Sequence, residues 1–194
     1  MKISISNLGW NPALNNQVYA FLQARDAHIE VAPSIIMPWE ENRTTAMFIG
    51  PYDRLGEASQ WYRDIHSRYG LNVSSMQSVL YRITENIFGD KLEYIFLRNY
   101  MYKAVDFAAE IRCGNIVFGC PKNRVIPGSM DTDTAMGIAR NFFKAVGDYA
   151  FKKGVFTGLE ANVREDGTNF INTTAEAFEF VKSAGSEGLK VNVD

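Results

Sequence analysis

Val155-Phe156-Thr157-Gly158-Leu159-Glu160 and Leu189-Lys190-Val191-Asn192-Val193-Asp194 decide how this chain is read. Each is a short, largely apolar run that closes on a carboxylate. A helical segment lies between them, so the two runs are expected to pair as parallel neighbours across a crossover. Glu160 and Asp194, 34 residues apart, then project from the same edge of one sheet.

Upstream, the same alternation repeats. Ile3 and Ile5 open a first strand, and Asn11-Pro12 supplies an N-cap with proline at the first helical position. Leu14, Val18, Phe21 and Leu22 follow at helical spacing. His28-Ile29-Glu30-Val31-Ala32 reads as a second strand, Leu71–Met76 as a third and Asn115-Ile116-Val117-Phe118-Gly119 as a buried fourth. Leu55, Ala58, Tyr62, Ile65 and Tyr69 mark a second helix, residues 90–112 a third, and Ile138, Phe142, Ala145, Val146 and Tyr149 a fourth, capped near Asp131 or Asp133. Thr173 with Glu176 three residues on forms a capping box for a fifth helix, with Phe178 and Val181 on its apolar face and Gly185 as its stop. The long segment from Pro33 to about Asp53, with three prolines, Trp39 and Phe48, reads as an ordered flap. Six parallel strands and five helices are expected in one domain spanning 1–194. An open doubly wound sheet and a barrel both satisfy this pattern, and an eight-unit barrel takes about 250 residues.

A 46% hydrophobic, 22% charged composition fits a globular core, and the net charge of -2 argues against a broad nucleic-acid surface. No apolar run approaches the roughly 20 residues of a membrane span. Cys113 and Cys120 sit in or beside apolar runs, without metal-ligand spacing. Reduced, packed thiols in a cytoplasmic protein are therefore expected.

In parallel α/β folds ligands sit at the carboxyl ends of the strands. The residues expected there are Asn7, Trp10, Glu30, Ser34, Gln77, Lys122, Asn123, Arg124, Glu160, Asn162 and Asp194, with mostly apolar strand bodies behind them. Two carboxylates facing one point need a divalent cation, a shared proton or a basic side chain, or else they are solvated strand ends. Glu30 lies in an otherwise apolar strand, and from the residues alone it is expected to pair with a neighbouring arginine. Lys122-Asn123-Arg124 could hold a phosphate or carboxylate, or be a solvated basic loop. Trp39 could cover a sugar ring or pin the flap. Gly167-Thr168-Asn169 could offer donors to a ligand. His28 begins a strand and His66 sits among charges on a helix, so neither reads as a ligand.

Taken together, Ile29-Glu30-Val31-Ala32-Pro33, Ser75-Met76-Gln77-Ser78, the run from Val117 to Arg124, Leu159-Glu160-Ala161-Asn162 and the run from Gly167 to Thr173 resemble a known group. The chain resembles the sugar phosphate isomerase/epimerase family with the xylose isomerase-like TIM barrel, from residue 3 to residue 194. The resemblance implies a partial barrel of six strands, with the last two β/α units missing. It implies one divalent cation (Mn, Mg, Co or Zn) held by a Glu, an Asp, a His and a second Glu. Glu160 matches the first and Asp194 the second, and the other two would fall beyond residue 194. It also implies a sugar or sugar phosphate substrate handled through an enediolate, with Glu160 catalytic. Glu30, Gln77, Asn162, Asp166 and Trp39 would lie near the substrate, Asp166 as a loose match to the epimerases' substrate-binding acid. Such a chain is expected to be inactive or nearly so alone, and open sheet edges favour a homo-oligomer or another partner. A non-catalytic, partner-binding remnant is the alternative. A zinc phosphodiesterase of the apurinic endonuclease type fits less well, because it needs a histidine-rich site.

Overall fold

The strands of this chain are short and the first five are each followed by a helix, and the computed structural model arranges them accordingly. It describes residues 3–37, 48 and 54–193. The strands are β1 (Ser4–Ser6), β2 (His28–Val31), β3 (Val73–Met76), β4 (Asn115–Phe118), β5 (Phe156–Glu160) and β6 (Leu189–Asn192). All pair in parallel, in the order of the sequence. The helices are α1 (Asn15–Gln23), the short α2 (Pro33–Ile36), α3 (Leu55–Tyr69), α4 (Lys91–Glu110), α5 (Thr132–Lys152) and α6 (Thr174–Ala184). The strand–helix alternation stands as expected, with α2 as an addition inside the segment read as a flap.

Local chemistry sets the helix ends. Asn11 caps a 3-10 turn over Pro12–Leu14 that leads into α1, its Oδ1 accepting from Ala13 N at 2.9 Å. Asp131, rather than Asp133, caps α5, accepting from Thr134 N at 2.9 Å. The capping box of α6 is complete. Thr173 Oγ1 accepts from Glu176 N, and Glu176 Oε2 accepts from Thr173 N, each at 3.1 Å. Gly185 ends that helix at φ +63°, a conformation open to glycine at little cost. Thr173→Ala is expected to lower the unfolding free energy by about 0.5–2 kcal/mol, read from urea denaturation.

Two expected apolar faces need correction. Phe178 of α6 is 59% exposed, and Leu14 and Phe21 are 43% and 46% exposed. The core instead gathers where α4, α5 and α6 meet the outer face of β4–β6. Phe143 lies at its centre, 4.9 Å from Phe118, 5.4 Å from Phe142 and 5.6 Å from Phe180, ring centre to ring centre.

The register also corrects the expectation of apolar strand bodies. Ile29, Val31, Ile116, Phe118, Leu159 and Leu189 are buried beneath the helices. The alternate residues share the opposite, inner face. Ser4 pairs with His28, Ser6 with Glu30, and Glu30 with Ser75. Val117 pairs with Gly158, Gly158 with Lys190, and Glu160 with Asn192. That face is mostly polar, whereas a filled barrel interior is lined by bulky branched residues. A register shift between Ile29 and Glu30 brings Ser75, not Ser74, opposite Glu30. Among the described strands β1 and β6 each have one unpaired edge.

Candidate functional site

Glu30 stands on the inner face near the end of β2. Its Oε1 accepts from Ser75 Oγ at 2.6 Å and its Oε2 from Gln77 Nε2 at 2.8 Å. The same Gln77 nitrogen donates to Ser6 Oγ at 2.7 Å, so the ends of β1, β2 and β3 are knitted around this carboxylate. Asn7 closes the seam behind it, accepting from Ala32 N at 2.7 Å and donating to Ala32 O at 3.3 Å.

Glu160 ends β5. Its Oε1 accepts from Asn162 Nδ2 at 2.9 Å and its Oε2 from Asn192 Nδ2 at 3.3 Å. Gly119 lies under it: a Cβ there would come within 3.1 Å of Oε1. Gly119→Val should therefore displace the carboxylate while sparing the fold, weakening any Mn2+ binding about tenfold in a titration. Glu160, Asn162, Gln77, Gly119 and Cys120 line one cavity of about 610 Å³, with Arg82 and Lys122 also contributing to its wall.

Neither carboxylate has an ion pair among the described residues. Their hydrogen-bond partners, Ser75, Gln77, Asn162 and Asn192, are neutral hydroxyl or amide donors, which orient the oxygens without cancelling their charge. Beside Arg82 and Lys122 of the cavity wall, the cation bonded to the Glu160 main chain is buried and committed to main-chain and amide oxygens. Arg124 is fully buried; its Nε donates to Gly119 O at 3.1 Å and its Nη1 to Phe170 O at 3.1 Å. Its Nη2 donates to Glu160 O at 2.7 Å and also to Asn162 Oδ1. Burial pushes the guanidinium down to about 10, partly countered by Cys120 and Glu160 nearby.

This overturns the reading of Lys122-Asn123-Arg124 as an anion-binding loop. Asn123 is spent on the carbonyls of Ile83 and Glu85, at 2.9 and 2.8 Å. The Gly167-Thr168-Asn169 turn is committed as well. Thr168 Oγ1 donates to Arg124 O at 3.0 Å, and Asn169 brackets Ile126 with bonds of 2.7 and 3.0 Å. Asp166 sits on an exposed 3-10 turn (Arg164–Asp166) and is not among the cavity's lining residues. Trp39 and Asp194 lie outside the described residues. His28 starts β2, and His66 Nδ1 meets Leu71 O at 3.1 Å on the outer helix layer, so neither histidine is at this rim. Burial raises the Cys113 thiol to about 12 and the Cys120 thiol to about 11, so both stay protonated at neutral pH. Ser6, Ser75 and Asn192 are not among the site residues expected from the sequence. Only the pairing register brings them to the carboxylates.

Among the described residues no group of three or more His, Cys, Asp or Glu forms a metal cluster. No described helix is long and apolar enough to cross a membrane.

No family model matches the sequence, and no curated protein matches it significantly. Solved structures do match. D-psicose 3-epimerase, crystallised in the presence of D-fructose, is 18% identical with a TM-score of 0.71, covering 98% of this chain and 62% of its own. The 3-keto-D-glucoside 4-epimerase of E. coli is 15% identical with a TM-score of 0.67, covering 98% and 67%. A xylose isomerase-like TIM barrel/4-hydroxyphenylpyruvate dioxygenase fusion protein is 15% identical with a TM-score of 0.69, covering 98% and 26%. The fold is a partial xylose isomerase-like TIM barrel. The chain spans about three fifths of the length of the D-psicose 3-epimerase.

Proposed function

We propose that this chain carries one half of a divalent-metal site of the sugar isomerase and epimerase type, with Glu160 as its working carboxylate. One observation carries the reading. Glu160 opens onto the cavity at the carboxyl ends of the strands, oriented by two amides and without a salt bridge among the described residues. Oxygen donors with uncompensated charge suit hard cations such as Mg2+ or Mn2+, and Co2+ or Zn2+ also accept them. Glu160 and Asp194 are the residues that would hold the ion. Bound there, it would polarise a substrate carbonyl and lower the cost of removing the neighbouring C–H proton.

The chain's own groups supply the rest. Glu160 would take or return that proton. Gln77 and Asn162, which line the cavity, and Glu30, linked to it through Gln77, would orient the hydroxyls of a sugar or sugar phosphate. In a closed eight-stranded barrel two further strands stand between β6 and β1. On this reading further ligands from such strands would complete the site, so Glu160 and Asp194 by themselves should hold the ion weakly. The test is titration of the chain with Mn2+ by electron paramagnetic resonance, followed by incubation with a ketohexose in D2O. Weak, saturable Mn2+ uptake with slow or undetectable C–H exchange is expected. Failure to take up any Mn2+ would end the metal-site reading.

The partner-binding reading has one observation of its own. Ile3 (65% exposed) and Leu8 (52%) flank β1, and Val193 (74%) follows β6, which places apolar side chains beside both unpaired edges. Sedimentation showing self-association at micromolar concentration would favour it.

A further inference from the structure

A single buried cation holds both the main chain of Glu160 and the amide that meets its carboxylate. Arg124 Nη2 donates to the main-chain carbonyl of Glu160 at 2.7 Å and to Oδ1 of Asn162. An amide whose oxygen is occupied by a cation has to turn its nitrogen the other way. Asn162 Nδ2 accordingly donates to Glu160 Oε1 at 2.9 Å. Arg124 Nε also holds the carbonyl of Gly119, the residue that forms the floor under that oxygen.

We propose that Arg124 is a positioning residue for Glu160, acting through Asn162; this rests on the reading of Glu160 as the working carboxylate. The guanidinium fixes which way the amide faces, and the amide fixes where the carboxylate stands in the cavity. Two features distinguish this from stapling a loop. The loop after β5 is already tied down without it. Asn172 Nδ2 donates to Asn162 O at 2.8 Å and to Thr168 O at 3.1 Å, and Asn169 holds Ile126. A fully buried charge is also a costly way to satisfy carbonyls that a neutral amide could serve. The charge becomes useful once the group it orients is itself an anion.

The experiment uses Mn2+ alone as probe, on the full chain, with Asn162→Ala, Arg124→Lys, the double variant and Glu160→Gln. Asn162→Ala should weaken Mn2+ binding about tenfold, the usual lower range for loss of a group behind a metal ligand, with the melting temperature nearly unchanged. Arg124→Lys should weaken it by a similar factor, and the double variant by little more than either. If Asn162→Ala binds Mn2+ within about twofold of the parent while Glu160→Gln loses it, Arg124 is a staple only and the proposal is overturned. If Glu160→Gln binds like the parent, the reading of Glu160 as ligand falls and takes the proposal with it. Should Arg124→Lys not fold, a crystal structure of Asn162→Ala decides. A displaced or doubled Glu160 carboxylate supports the relay, and an unmoved one overturns it.

Discussion

Arg124→Met is expected to lower the unfolding free energy by about 3–5 kcal/mol, measured by urea denaturation. The side chain is wholly buried and donates to Gly119 O, Phe170 O, Glu160 O and Asn162 Oδ1. Hydrogen bonds from a charged donor contribute roughly 1.5–3 kcal/mol each. Against this stands the burial of the charge, which lowers the guanidinium from its ordinary value to about 10 and so costs on the order of 3 kcal/mol. The bonds win, and methionine fills the stem while leaving the carbonyls bare. The sign of the pH dependence follows from the direction of the shift. A base whose folded value is depressed carries its penalty in full below that value and sheds it only as pH rises through about 10 toward the ordinary guanidinium value. The loss on substitution should therefore be the same at pH 6 and pH 8. A loss under about 1 kcal/mol would show that water or neighbouring groups replace these bonds.

The architecture was legible because strand and helix periodicities differ and because end signals are local. Asn11-Pro12, Asp131 and the Thr173/Glu176 pair act within one turn of themselves, so a linear reading finds them. The apolar residues at Ile29, Val31, Ile116 and Phe118 were legible too, as the faces that the helices cover. Phe178 misled because a helix end can leave one large apolar side chain in water without much cost.

The site was legible in part. Glu160 announces itself by closing a strand, and Gln77 by following one. The strand bodies read as mostly apolar because strands of three to five residues offer too few alternations to separate their two sides, and a register shift beside Glu30 breaks even that count. Arg124 was misread for a different reason. A basic residue after proline in a loop is ordinarily solvated, and nothing local reveals that the run to Phe170 folds over it. Its burial depends on contacts from Gly119 to Phe170, a separation that no pattern of spacing records.

Glu160→Gln should weaken Mn2+ binding more than about a hundredfold, since groups merely behind a metal ligand are typically worth 10–100-fold. Its stability should move by less than about 1 kcal/mol, because the carboxylate makes no salt bridge among the described residues and its hydrogen bonds can be remade. Loss of the charge removes only an attraction to the buried guanidinium of Arg124, which makes no hydrogen bond to the carboxylate itself. The substituted amide keeps an oxygen for the Asn162 donor, and Asn192 can turn its own amide to meet the new nitrogen. Mn2+ titration and thermal melting on the same sample separate the outcomes. Lost binding with an unmoved melt identifies a carboxylate kept for a cation. A fall in melting temperature with unchanged binding would identify a carboxylate kept for Arg124, and the metal-site reading of this rim would be wrong.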